Sequence, residues 1–460
     1  MTRVHVGGSA LAACVLAALL FVLQATGAET QARKAEYKGW NTLALENGLI
    51  EVQVAPDIGG RVIQFKLGSF EFLWVNDWLA GKAPPPNGVG PKGEWLNYGG
   101  DKLWPAPQGW DSDEQWPGPP DPILDGSPHA GVIAKAGGQE ASVQLTSQPD
   151  TRSGISFMRT IAIRPGSTRV GFESTMTNTS AKLRRWGIWQ VTQHNAASRG
   201  GTSGRAEKEL WAYCPFNPKS VFRRGYEEMF GLVNDPTFKP DYARGLMRVH
   251  YERRVGKIGM DCSAGWLAVV NGTAGYAFVH RFTYYPEKKY PDQASVEFWS
   301  NGAGEFVAGG KLNVCKDDPV ETPYLIESEV LSPRAELEPG ERYTFRSDWY
   351  AAKIGGNFPA LDCTDAGIMC EPFAAKTAQG TLTVSGRFGV FYVGTAELVF
   401  FDAKDNEIRK AGLLRAATPL EPFVLAGATV PAPEGVRKVV LMLYTPDGRG
   451  VGKLASAELK

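Results

Sequence analysis

Beyond its first thirty residues the chain lacks any apolar run long enough to cross a bilayer, so no membrane span is expected. It also lacks an excess of either charge. Lysine plus arginine number 49 and aspartate plus glutamate number 49, so neither nucleic acid nor an anionic membrane surface is an expected partner. Helical periodicity sustained over three turns is missing, which argues against an α-rich fold. Cysteine is scarce, six in 460 residues, and no pair has the C-x-x-C spacing of a zinc site. The G-x-S-x-G elbow, the H-E-x-x-H helix and the phosphate-cradling G-x-x-x-x-G-K-[ST] loop are all absent. No metal and no cofactor are therefore expected.

What the chain has is turn chemistry and rings: 53 glycines, 31 prolines and 11% aromatic residues. That combination suits a large β-rich core with rings left over for recognition. Arg3, an apolar run over residues 11–23 and the small residues Thr26, Gly27 and Ala28 read as a signal peptide, residues 1–28. A periplasmic or secreted location follows. Leu11-Ala12-Ala13-Cys14 resembles a lipobox and raises a lipid anchor at Cys14. The apolar stretch mostly follows that cysteine, which argues against it. Five cysteines remain after cleavage, and Cys363 and Cys370 could close a short loop.

Short alternating stretches recur between turn signals from residue 49 to residue 350, as in 49–54, 61–67, 155–163, 186–192 and 324–331. They predict an all-β protein, with a large antiparallel sandwich over residues 36–350. Residues 351–378 lose the alternation and read as a linker. Alternation resumes in residues 379–460, which fit a small C-terminal β-sandwich. Trp95, Trp104, Trp110 and Trp116 fall in a stretch so rich in glycine and proline that an irregular loop is expected. Two readings stay open there. The indoles stack on a sugar, or the loop folds back and buries its own rings as a lid.

Several phrases carry a family likeness. They are Ile58-Gly59-Gly60-Arg61-Val62, the run from Asn97 to Gln108, and Trp186 to Gln193. Gly256-Lys257-Ile258-Gly259, Val296-Glu297-Phe298-Trp299 and Tyr324 to Leu331 add to them. Together they resemble the galactose mutarotase-like superfamily, which includes the aldose 1-epimerases, and within it a branch of exported bacterial proteins. The resemblance covers roughly residues 40–350. It implies a supersandwich of antiparallel sheets with a carbohydrate-sized cleft on one concave face.

Mutarotation needs a base for the anomeric hydroxyl and an acid for the ring oxygen. In the epimerases a late-strand glutamate is the base. Here that strand carries Glu327 and Glu329, two apart and so on one face, with Glu327 preferred by register. His129 and His194 are the candidate acids, with His280 as a third possibility. The epimerase histidine on strand 186–193 is replaced by Gln190, which orients a hydroxyl but delivers no proton. The resemblance assigns Arg61 to gripping substrate. Asp101, Lys102, Trp104, Gln108, Trp110, Gln193, Glu297 and Trp299 complete the expected sugar contacts. The expected function is carbohydrate binding. A sugar epimerase, lyase or hydrolase using Glu327 and Glu329 is the alternative, and a non-catalytic envelope protein the second alternative.

Overall fold

The structure is a computed structural model that describes residues 29–85, 87–198 and 204–459. The expected leader and Cys14 lie outside the described residues. Among these residues no helix is long and apolar enough to cross a membrane. Two antiparallel sheets face each other. The first runs in space through Thr30–Tyr37, Trp40–Glu46, Ile50–Ala55, Arg61–Leu67, Asp101–Ala106, Arg184–Asn195, Leu325–Leu331, Val296–Ser300, Gly256–Met260 and Glu227–Gly231. The second runs through Ala130–Gly138, Ala141–Thr146, Ile155–Ile163, Val170–Asn178, Arg342–Lys353, Tyr276–Phe282, Trp266–Asn271, Leu210–Pro215, Leu246–His250 and Phe238–Asp241. Thr30 and Gln31 pair with Gly138 and Gly137, stitching the sheets at one edge.

The main core lies between them. Phe65, Phe172, Phe278 and Trp349 meet there in ring contacts of 4.6–6.2 Å. Central strands are buried on both faces, as in Arg184–Asn195, where nine consecutive residues from Trp186 to His194 are buried. Strands of that kind lose the clean inside-outside alternation of a one-sided sheet.

Asp101–Ala106 is a regular strand, where an irregular loop was expected. Pro105 is tolerated because only one edge of this strand is continuously paired. All six residues align with Arg184–Asn195, whereas the other edge makes the single pairing Val62 with Asp101. The entry turn needs Gly99 and Gly100, both at positive φ (95° and 75°). A Cβ at either would lie 2.3 Å from a carbonyl oxygen, of Trp74 or Val62.

Residues 351–378, read as a linker, carry more structure than that. They include the end of Arg342–Lys353 and the strands Asp362–Cys363 and Gly367–Ala378, the first two of the C-terminal unit. That unit is two four-stranded sheets enclosing their own core, with Phe388, Phe400, Leu398 and Leu441 fully buried. It docks through apolar packing, with Tyr350 stacked on Phe391 at 4.5 Å and the Thr168 amide donating to the Phe391 carbonyl. Cys363 and Cys370 are free thiols. Cys363 pairs with Ile368, so Cys370 is its diagonal neighbour, and such pairs sit about 7–8 Å apart, beyond disulfide reach.

Candidate functional site

Strand register sorts the expected site residues into two groups. On the first sheet, Lys102, Val191, Glu329, Glu297 and Gly259 form one lateral rank. Gln193, Glu327, Trp299 and Lys257 form the next. Trp104, Trp189 and Leu331 form a third. Successive ranks are two residues apart, so all three project from the face turned away from the second sheet. Lys102, Trp104, Gln193, Glu297, Trp299, Glu327 and Glu329 thus share that face.

Asp101, Gln190 and His194 do not. One residue out of step, they point into the space between the sheets. Asp101 pairs there with Arg159 at 2.5 Å and accepts from Thr192 and Gln190. Gln190 also accepts from Ser347 of the opposite sheet, and His194 Nε2 lies 2.8 Å from the Ser328 hydroxyl. His280 is buried beside Trp349 in the same layer. The expectation that Asp101, Gln190 and His194 line a cleft is corrected accordingly. Asp101 and Gln190 tie the two sheets together, and His194 packs its ring against Phe278 of the second sheet.

Arg61 is also placed differently from expectation. It is fully buried, and its guanidinium donates to the carbonyls of Ile58, Gly99 and Asp125 and to the Asp125 carboxylate. With Nε, Nη1 and Nη2 all engaged, it clamps backbone instead of gripping a ligand. Asp125 is the hub of the aromatic segment. One oxygen accepts from Arg61 and from Trp104 Nε1, the other from Trp95 Nε1 at 2.7 Å. Asp121 does the same for Trp116. Trp104 then contacts Trp95, Trp116 and Trp189 with centroid separations of 5.0–6.1 Å. Three of the four tryptophans are therefore packed as a wall, and Trp110 alone is substantially exposed, at 45%. His129 packs against Gly60, with Arg61, Asp125 and Arg159 as its charged neighbours in place of the glutamates, and burial pushes its imidazole down to about 4.

The shared face is a charged network sunk among rings. Lys102 lies 3.6 Å from Glu327 and 4.8 Å from the centre of the Trp104 ring. Gln193 donates to Glu327 at 2.7 Å. Lys257 reaches Glu297 at 2.6 Å and Glu329 at 3.0 Å, over the face of Trp189, whose Nε1 also donates to Glu329. Burial raises Glu329 to about 7, opposed by Lys257 and reinforced by the neighbouring Glu297. Burial raises Glu297 and Glu327 as well. Four buried polar atoms here have no hydrogen-bond partner: Lys102 Nζ, Gln193 Oε1, Glu297 Oε1 and Glu329 Oε1. The first two flank Glu327.

The edge strand Glu227–Gly231 flanks the face, and above it lies the hairpin of Gly304–Ala308 with Lys311–Cys315. Phe306 of the hairpin packs on Trp299 and Phe230, and a Cβ on its tip residue Gly309 would touch the Trp110 indole at 3.1 Å. Beneath them Gln108, Trp189, Met229, Phe230, Lys257 and Glu297 line a cavity of about 30 Å³. Gln108 thus sits at the site's margin, and Trp110 under the roof. Lys257, Trp189 and Asp125 were not singled out from sequence. For Lys257 the signal was a lysine between glycines on a short strand that is otherwise apolar.

The architecture is that of a two-sheet antiparallel supersandwich with a polar face under a hairpin roof. A family model described as "Domain of unknown function (DUF4380)" matches residues 41–352, and the chain belongs to that family. No curated protein matches it. Solved structures similar to it include a TPR-domain containing protein from Parabacteroides distasonis, 16% identical with a TM-score of 0.45. That match covers 70% of this chain and 48% of the other, so the chain spans about half the length of that relative. Galactose mutarotase-like proteins from Clostridium acetobutylicum (12% identical, 71% and 99% covered, TM-score 0.41) and Lactobacillus casei (10%, 67% and 99%, 0.40) are also similar.

Proposed function

We propose that the chain binds a neutral carbohydrate on the face bearing Lys102, Gln193, Glu327, Glu329, Glu297 and Lys257. One observation carries this reading. A buried donor and a buried acceptor without hydrogen-bond partners, Lys102 Nζ and Gln193 Oε1, stand on either side of Glu327, among the rings of Trp104 and Trp299. Buried polar groups are nearly always satisfied, and a polyhydroxylated ligand satisfies a donor and an acceptor with one kind of group. Charge disfavours an acidic sugar. Lys102 and Lys257 stand against Glu297, Glu327, Glu329 and Asp292, and a carboxyl raised to about 7 lets the Glu297–Glu329 pair hold one proton near neutral pH. No cationic excess remains, so an acidic sugar would add an uncompensated charge to a buried site.

Titration of tryptophan fluorescence with glucose, galactose and mannose tests this. Saturable quenching is expected, weakened at least about tenfold in Lys102→Met. No response from any neutral sugar would overturn it. A leader-like segment at residues 1–28 supports action outside the cytoplasm.

A second reading is favoured by Glu329 alone. A carboxyl raised to about 7 is suited to both giving and taking a proton at neutral pH. Glu329, rather than the register-preferred Glu327, is then the catalytic group. Polarimetric mutarotation abolished in Glu329→Gln and retained in Glu327→Gln would support it, and no mutarotation in the wild type would end it.

A further inference from the structure

The same sheet face continues past Gln193 and Glu327 into a surface groove of about 390 Å³. Its walls are the segment Leu73–Trp78 and the segment from Pro319 to Tyr324, and its floor includes Asn195 and Gln64. The volume is within the range of small-molecule sites, about 300–1,000 Å³. Trp78 is 70% exposed at the rim. It rides on the single 3-10 turn Asp77–Leu79, capped by the Asn76 side chain, which accepts from the Trp78 amide. An indole at the rim of a polar groove offers a ring face to a ligand beside the groove's amides. Beside it Lys38 and Asp77 pair at 2.5 Å, and across the groove the Tyr324 ring is held from behind by Arg253 at 4.1 Å.

Two links join groove and site. Asn195 lies two residues beyond Gln193 on the same strand and face, about 7 Å away at about 3.3 Å per residue. Trp74, on the opposite wall, donates its amide to the Gln193 carbonyl at 2.9 Å. That spacing is short enough for neighbouring sugar units of one chain to bridge, and the groove repeats the site's chemistry of ring faces beside amides and carboxylates.

We propose that this groove, between Trp74 and Trp78 on one side and Tyr324 on the other, is a second saccharide subsite. The chain then takes a neutral oligosaccharide of two or more sugars in place of a monosaccharide. This rests on the carbohydrate reading above. Calorimetric titration of the full chain with glucose, galactose and mannose, and with linear di- to tetrasaccharides of each, tests it. Tetrasaccharide is expected to bind at least about tenfold tighter than its monosaccharide. Trp78→Ala, an exposed position whose loss leaves the core intact, is expected to erase that gain and leave monosaccharide affinity unchanged. Equal affinity across chain lengths, or a length gain that survives in Trp78→Ala, overturns the subsite while leaving the monosaccharide reading standing. Binding of no member of the panel overturns both.

Discussion

At the scale of single residues, Glu329 is the group with the sharpest consequence. Its folded-state pKa, about 7, lies above the usual carboxyl value near 4.5. The native state therefore holds a proton that the unfolded chain has released, and the stabilisation is fully present below about pH 4.5 and lost as pH rises through about 7. Glu329→Gln keeps the neutral form at every pH. Relative to that variant, the wild-type melting temperature is expected to fall between pH 5 and pH 8, and a constant difference would refute the assignment. Asp125 carries a different load. Asp125→Ala removes the carboxylate from a fully buried Arg61 and from two indoles at once, and a cost of about 3–5 kcal/mol is expected in urea unfolding. A red shift in tryptophan emission should accompany it. This hub was illegible in sequence because Asp125 lies in a turn of ordinary composition, and its three partners come from three separate segments.

At the scale of elements, the late strand was readable and the middle strand was not. Glu327 and Glu329 share a face because they are two apart, and no fold knowledge is needed for that. Choosing the face for residues 186–194 does need it. Trp186, Ile188 and Gln190 alternate with Trp189, Val191 and Gln193, so both sides carry rings, aliphatics and an amide, and no hydrophobic asymmetry marks the core side. Gln190 and His194 went to the inter-sheet layer and Gln193 to the outer face for reasons set by the opposite sheet. Strand existence was clear by contrast, since turn residues punctuate the chain throughout. Asp101–Ala106 escaped because Pro105 argues against a strand unless its second edge is known to be mostly unpaired. The roof hairpin offers an element-level test. With Gly309→Cys and Trp110→Cys, oxidation should pin the hairpin tip to the aromatic segment and suppress glucose, galactose and mannose binding, with recovery on reduction. Equal affinity in both redox states would show that sugars enter without the hairpin moving.

At the scale of the whole molecule, the two sheets enclose a polar layer that makes the fold acid-sensitive. His194 is held down to about 3 and His129 to about 4 by burial, and burial lowers His280 well below its ordinary value. Each stays neutral in the native state while the unfolded chain protonates near 6.5, so stability is lost as pH falls from about 6.5 toward about 4 and about 3. The loss is roughly 1.4 kcal/mol per unit for each histidine over that window. Raised carboxyls such as Glu329 offset this loss, so the comparison is with a variant. The wild-type melting temperature relative to His194→Gln should fall from pH 6.5 to pH 4, and a constant difference would contradict the burial of that ring. On the proposed reading, the outer face, where rings enclose polar atoms without hydrogen-bond partners, turns this scaffold toward a ligand. The most direct test of that claim is a crystal structure of the full chain soaked with tetrasaccharides of glucose, galactose and mannose. A bound saccharide with hydroxyls within hydrogen-bond distance of Lys102 Nζ and Gln193 Oε1 is the predicted result. Saccharide seated elsewhere on the molecule, with those two atoms bonded only to solvent, would contradict it.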